Sequence, residues 1–598
     1  MPDLTLTIGG MTCAGCARHV AEALESVPGV ASADVPGWES GRAKVALGAD
    51  ALADPDALVA AVEAAGYRAA VDGQASDTDT APTGGPASGY GAPSDTPPTT
   101  SGDGATDVVL PSRSDLPPSA YDLVVVGGGS AAFAAALKTS ELGGRAAIVN
   151  DGAGGLPIGG TCVNVGCVPS KATIRAAEAV HRAQRSAFDG VETTGRITDF
   201  GAVLAQVRAL ASELREAKYV DVAGADDAVR LVEGRARLAG QTGGLHSVEV
   251  DGGASTLRAR AVLVATGART FVPDVPGLAD TGYLTNETIW DLAEAPSRLI
   301  VLGGGYVAVE TAQAFARLGV PVTLLQRSGR ILPREDAALT DALTGFLEAD
   351  GVDIRTGVAL RAARPDGAET VVAFEAGGEG QEVRGSHLLL ATGRRGNTAD
   401  LGLEALGVQP DARGFLPVDC ALRTGADGVF GAGDVLGDKM FVYTAAYEGA
   451  LAARNAREAL GPKADPAEAD YTALPWVVFT DPQLAGVGFD LAQAEAAGID
   501  AEATTLAMEH VPRAIAARDT RGSVTLVRDR VSDRIVGARV LAPEGSELLM
   551  EVALAIHHRI TTQELAGAFH PYLTLSEAVK LAALTFRKDV GQLSCCAA

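Results

Sequence analysis

Tyr121-Asp-Leu-Val-Val-Val-Gly127-Gly-Gly129-Ser-Ala131-Ala132 decides the fold. Its unbroken apolar run predicts a strand buried on both faces of a parallel sheet. A helix through about Leu142 and a strand over Ala146–Asn150 complete a β-α-β unit. Gly127 and Gly129 permit a tight turn and let the helix N-terminus approach a pyrophosphate, with small Ala131 and Ala132 where the helix meets the sheet. An acidic residue normally closes such a unit on the ribose. Here Asn150 stands there, followed by Asp151 and Gly152, so the contact is open between Asp151 and the Gly152 backbone.

The pattern recurs at Arg298-Leu-Ile-Val-Leu-Gly303-Gly-Gly305-Tyr-Val-Ala308. Its next strand, Val322–Gln326, ends in Arg327 rather than an acid, and Arg330 and Arg334 follow closely. A missing carboxylate with clustered arginines favours a 2′-phosphate, hence NADPH over NADH. Surface arginines on a connecting loop are the alternative. Two nested Rossmann-like units make an α/β protein in which electrons pass from one cofactor to another.

The 598 residues exceed a single core and predict about three or four domains. A formal charge of −26 disfavours nucleic acid and anionic membrane surfaces as partners. The first residues lack a signal peptide's basic and apolar regions, and no apolar run approaches a membrane span of about 18 residues. A cytoplasmic, reducing location is expected, where paired cysteines are more often metal-binding or catalytic than structural.

Six of the seven cysteines fall in pairs: Cys13-x-x-Cys16, Cys162-x₄-Cys167 and Cys595-Cys596. Cys420 is left over and reads as a small buried hydrophobe. Residues 1–72 read as βαββαβ, with strands Leu4–Ile8, Ala31–Val35, Arg42–Ala46 and Tyr67–Val71 and helices Ala17–Ser26 and Pro55–Ala65. With Gly-Met-Thr-Cys13-Ala-Gly-Cys16 between the first strand and helix, this module resembles the ferredoxin-like heavy-metal-associated domain. Two thiolates at a helix N-terminus suit soft, two-coordinate metals. A thioredoxin-like redox pair is the alternative, but its usual aromatic and proline neighbours are missing. Residues 73–118 are Gly, Pro, Ser, Thr and Asp with almost nothing to bury, a flexible tether spanning roughly 35–40 Å.

Between the first unit's second strand and the next helix lies Gly159-Gly160-Thr161-Cys162-Val-Asn-Val-Gly-Cys167-Val-Pro-Ser-Lys171. On this motif, residues 121–598 resemble the pyridine nucleotide–disulfide oxidoreductases. The resemblance implies FAD on the first unit and NADPH on the second, with Gly160 and Thr161 at the flavin. Ala265-Thr266-Gly267-Ala268 and Ala391-Thr-Gly393 look like the loops closing the two folds. Gly431-Ala-Gly433-Asp434 is similar to the second flavin motif, with Asp434 on the ribityl chain. Val442 and the helix Tyr443–Asn455 would aim a positive helix end at the flavin pyrimidine. By the same resemblance Cys167 lies against the flavin and Cys162 meets substrate. Lys171 sits beside flavin N5 and pairs with Glu310, and Tyr306 is an aromatic gate between flavin and nicotinamide. The implied domains are FAD-binding over 119–270 and 391–470, NADPH-binding over 271–390, and an α+β dimerisation domain over 471–598.

Members that reduce disulfides carry a His-Pro followed shortly by Ser-Glu, the histidine being the acid/base. Here the segment reads Phe569-His570-Pro-Tyr572-Leu-Thr-Leu-Ser-Glu577. Anchored on Thr-Leu-Ser-Glu, the histidine position holds Tyr572, and a phenol of pKa about 10 is a poor base at neutral pH. Vicinal Cys595 and Cys596 do not easily close an unstrained disulfide with each other. They read as a relay that takes a soft metal from small thiols, or as a redox relay to protein substrates. Pro-Tyr-Leu-Thr, Leu-Ser-Cys-Cys-Ala and the N-terminal module resemble the family's Hg(II)-reducing members. That implies NADPH-driven reduction of Hg(II)–thiol complexes in a homodimer. Cys595 and Cys596 would serve the partner's site, Cys162 and Cys167 would take the metal, and Tyr306 and Tyr572 would be secondary contacts. A glutathione- or lipoamide-type disulfide reductase and a non-enzymatic soft-metal buffer are the rival readings.

Overall fold

The computed structural model describes residues 4–9, 20–21, 23–25, 27, 29–35, 42–47, 55–64, 68–71, 120–152, 155–458 and 466–592. Cys13, Cys16, Cys595, Cys596 and the tether lie outside the described residues. The chain divides into two compact units, Met1–Asp115 with Ala459–Asp465, and Leu116–Glu458 with Pro466–Ala598.

In the first unit the strands run Val30–Asp34, Arg42–Leu47, Leu4–Gly9, Arg68–Val71 across one antiparallel sheet. Alternation sets the covered face of the two central strands: Leu6 and Ile8 on one and Ala43 and Val45 on the other are buried. Helix Pro55–Ala64 buries Leu58 and Val62, and helical residues Val20 and Leu24 bury the same four-residue spacing.

In the second unit the Tyr121 strand, Ala120–Val126, pairs in parallel with both Ala146–Asn150 and Ser255–Val264 in a seven-stranded sheet. Val124, Val125 and Ile148 have no exposure, as expected for a strand covered on both faces. The second nucleotide fold is a four-stranded parallel sheet centred on Leu299–Leu302 and Val322–Gln326. An antiparallel ribbon, Ala268–Thr270 against Arg394–Gly396, carries the chain out of the first fold and back. A three-stranded antiparallel sheet, Ala359–Asp366, Glu369–Ala376 and Glu379–Gly385, extends the second fold, and a five-stranded antiparallel sheet runs from Pro475–Val478 to Ile535–Ala542. Helices Leu549–His557 and Glu577–Leu584 pack on the apolar face of the five-stranded sheet.

Two helices cross closely because glycine lets them. A Cβ at Gly449 would lie 2.1 Å from the Ala131 carbonyl oxygen, so helix Val442–Glu458 lies directly on the fingerprint helix Ser130–Glu141. Arg317 stitches the second fold to the five-stranded sheet's edge. Its guanidinium, 2 % exposed, lies 2.8 Å from both Asp350 and Asp481. One expectation is corrected here: Cys420 is buried but disulfide-bonded, not a lone buried thiol.

Candidate active site

The first fingerprint opens into a cavity of about 1070 Å³. Gly127, Gly129, Ala131, Asp151, Gly160, Thr161, Thr266, Gly267, Ala268, Asp434 and Val442 line it, together with Cys162, Cys167, Lys171, Tyr306 and Glu310. Gly127 has φ +118°, and a Cβ there would lie 2.2 Å from the Ala265 carbonyl oxygen. Only glycine brings the two loops this close. Gly160, with φ +61°, leans on Gly129 in the same way. Ala132 is fully buried and fills the helix-to-sheet seam rather than the cavity wall. Asn150, at the position where an acid normally holds the ribose, donates its side-chain amide to Leu156 O at 3.0 Å and pins the following loop. Asp151 faces the cavity and Gly152 does not.

The cysteines sit on either side of a helix break. Short helix Gly160–Val165 carries Cys162, Gly166 breaks it, and Cys167 is the first residue of helix Cys167–Gln184. That puts Cys167 at the positive end of an 18-residue helix. Both thiols are free. The hydrogen bond from Cys162 draws the Cys167 pKa down to about 7, against burial and with help from the Lys171 charge. Cys162 moves the other way, pushed up by that hydrogen bond, by burial and by the neighbouring thiolate. One proton shared so unequally leaves a thiolate on Cys167 and a thiol on Cys162 near neutral pH.

One turn further on, Lys171 Nζ lies 2.7 Å from Glu310 Oε2 and 4.5 Å from the Phe479 ring centroid. Glu310 Oε1 accepts the Phe479 N–H at 2.9 Å. The carboxylate is 7 % exposed and is satisfied on both oxygens. Three parts of the chain thereby meet at one charge pair. Tyr306 begins helix Tyr306–Arg317, with its ring between Phe441 at 6.2 Å and Trp476 at 6.0 Å. Its hydroxyl donates to Glu335 Oε1 at 3.1 Å, and burial holds its pKa above that of ordinary tyrosine.

At the second fingerprint Gly303 has φ +117°, and a Cβ would meet Ala391 O at 2.2 Å, while Gly305 faces open space. Ala308 is fully buried. Arg327 and Arg334 are exposed at the strand's end. Arg330 is turned inward instead, its Nη2 donating to the carbonyls of Pro333 and Glu335 at 3.0 Å each. Tyr572, at 55 % exposure, lies outside the cavity of its own chain. His570 turns its ring onto Glu551 and the Ala568 carbonyl.

Some residues at the site carried no sequence signal. Arg394 lines the cavity 3.5 Å from Asp434, whose carboxyl burial holds above the usual range. Glu448 accepts the Gly433 N–H and the Tyr471 hydroxyl, both at 2.7 Å, and burial pushes its pKa up to about 7. Glu448 lies on the helix after the Gly-Ala-Gly-Asp motif, where only packing in three dimensions shows its role.

The donor set fits FAD and NADPH. Both glycine turns are cradles that a single Cβ would fill, and each leads into a helix whose first N–H groups have no side-chain cap. Arg394 Nε is buried without a protein partner among the described residues, beside the half-buried Asp434 carboxyl that a ribityl hydroxyl would satisfy.

Comparison with known proteins agrees. Residues 121–449 match the model of the pyridine nucleotide-disulphide oxidoreductases, residues 474–583 the dimerisation domain of the same group, and residues 5–68 the heavy-metal-associated domain. The chain is 42 % identical to the mercuric reductase of Shigella flexneri, over 99 % of this chain and all of that one. It is 44 % identical to the mercuric reductase of Streptomyces lividans, over 80 % of this chain and 98 % of that one. Among solved structures, LpdA from Mycobacterium tuberculosis is 29 % identical with a TM-score of 0.69, covering 78 % of this chain and all of its own. The HOCl-induced flavoprotein disulfide reductase RclA from Escherichia coli is 27 % identical with a TM-score of 0.68, covering 78 % of this chain and all of its own.

Proposed function

The chain belongs to the pyridine nucleotide-disulphide oxidoreductase family, and from that premise we propose that it reduces Hg(II) to elemental mercury at the expense of NADPH. The carrying observation is the thiol pair: a Cys167 thiolate near neutral pH, hydrogen-bonded to Cys162, in a chain with full-length likeness to mercuric reductases. The net reaction consumes NADPH, one proton and a Hg(II) dithiolate, and yields NADP⁺, elemental mercury and two thiols. FAD, when bound, supplies the two-electron carrier between NADPH and the metal.

The protein's own part is capture and orientation. The Cys167 thiolate attacks Hg(II) and displaces one of the two thiolates that deliver it. Cys162 then forms the second Hg–S bond, and its proton leaves on the second displaced thiol. Soft, two-coordinate Hg(II) suits two sulfurs on either side of a helix break. The Cys162 hydrogen bond does most to favour the Cys167 thiolate, and Lys171, held by Glu310, adds to it. The His-Pro segment offers no acid/base to this chain's cavity, since His570 is engaged by Glu551. Metal exchange needs none, because thiolates leave Hg(II) without general-acid help.

The reading extends to the cysteines outside the described residues. Cys13 and Cys16 collect Hg(II) from thiol complexes in the cytoplasm, and Cys595 and Cys596 pass it to the active site of the partner subunit of a homodimer. The dimerisation-domain match supports the pairing, and exposed Tyr572 supports a donated C-terminal segment. No described helix is long and apolar enough to cross a membrane.

One assay tests the function: FAD-loaded protein with excess thiol, NADPH and Hg(II), followed for NADPH oxidation and mercury vapour. Mercury-dependent oxidation with vapour release is expected. Turnover of glutathione disulfide or lipoamide in its place, or metal binding without NADPH consumption, refutes the proposal.

A further inference from the structure

We propose that Glu335 is a positioning residue for Tyr306, latching the ring across the route that the nicotinamide takes into the cavity. The inference rests on the NADPH reading of the second fingerprint. Tyr306 is the first residue of the helix whose N-terminus receives the pyrophosphate, and its ring lines the cavity. Glu310, one turn along, carries Lys171. A nicotinamide reaching from Gly303–Gly305 toward Lys171 therefore meets the Tyr306 ring where it packs between Phe441 and Trp476.

The hydroxyl end of that ring is not free to follow. It donates to Glu335 Oε1 at 3.1 Å. Glu335 is itself fixed by its loop: its N–H donates to Leu332 O at 3.0 Å, and its carbonyl receives Arg330 Nη2 at 3.0 Å. Leu332 N–H in turn donates to Gly304 O at 2.8 Å, so the loop is pinned to the fingerprint. The Glu335 carboxyl is half-buried among Arg334, Asp490, Arg539 and Tyr306, which makes its hydrogen bond to the tyrosine worth more than a solvent-exposed one. The anchor of the ring thus belongs to the same loop as Arg327, Arg330 and Arg334. Seating a nicotinamide breaks the bond or drags the loop, and either opposes binding.

The test is calorimetric, on FAD-loaded protein, with NADP⁺ and with 2′,5′-ADP, which has the 2′-phosphate but no nicotinamide. Parent, Tyr306→Phe, Glu335→Ala and the double variant are compared. Each single variant should bind NADP⁺ about tenfold tighter, the size expected for release of one hydrogen bond to a charged acceptor. The double variant should gain no more than either single one. Affinity for 2′,5′-ADP should stay unchanged throughout. If Glu335→Ala weakens both ligands, Glu335 only shapes the arginine loop, and the proposal is overturned. Unchanged NADP⁺ affinity in both single variants overturns it too. Failure of the parent to bind either ligand would remove the NADPH reading beneath it, a result distinct from the other two.

Discussion

Replacing Cys162 by alanine separates the causes of the Cys167 thiolate. The structure lowers the Cys167 pKa from 9.0 to about 7, with the Cys162 hydrogen bond as the largest cause and burial opposing it. Without Cys162, burial and the Glu310 and Asp434 charges raise the Cys167 pKa, and the Lys171 charge lowers it. The Cys167 pKa should return to about 9. At pH 7 the ionised fraction then falls from about one half to about one per cent, roughly fiftyfold. The more basic thiolate is intrinsically the better nucleophile, by about eightfold over two pKa units at a Brønsted slope near 0.45. Alkylation at pH 7 should therefore slow only about sixfold, while above pH 9 the variant should react faster than the parent. Reduced protein is treated with iodoacetamide across pH 5.5–10.5, and labelling of the Cys167 peptide is followed by mass spectrometry. The decisive quantity is the midpoint of the pH–rate profile. A midpoint that stays near 7 in Cys162→Ala would show that the helix N-terminus and Lys171 suffice, and the argument from the hydrogen bond would be wrong.

Other perturbations have expected outcomes of the same kind. Gly127→Ala puts a methyl 2.2 Å from Ala265 O at a φ of +118°, so the purified variant should lose FAD, read as the ratio of flavin to protein absorbance after gel filtration. Arg317→Met removes the nearest cation of Asp350 and leaves Asp481 with Arg521 alone, and urea unfolding should show a loss of about 3 kcal/mol. The Cys595→Ala/Cys596→Ala double variant should keep its flavin and its turnover at low thiol. With millimolar glutathione competing for Hg(II), its mercury-dependent NADPH oxidation should collapse.

How much of this was legible in the chain depends on distance along it. The glycine turns were readable because their cause is local: a strand, a φ only glycine adopts, and a helix start within a dozen residues. The cysteine pair was readable as a pair, but only the family resemblance pointed to its asymmetry, and not to the cause. The asymmetry comes from Gly166, which ends one helix and begins another, placing one sulfur at a positive helix end and the other beside it as donor. The Lys171–Glu310 bridge joins residues 139 apart, so only a family resemblance could point to it. The arginines show the limit most clearly. Read as a string, Arg327, Arg330 and Arg334 are three equal cations at a strand's end. In the fold Arg330 turns back to close its own loop, and the loop it closes presents Glu335 to Tyr306. No periodicity or motif marks Glu335, because what sets its role is the left-handed turn at Leu332, φ +43°, that folds the loop back onto Gly304. A carboxylate that reads as surface charge in sequence is, once that turn forms, the anchor of the ring at the cavity mouth.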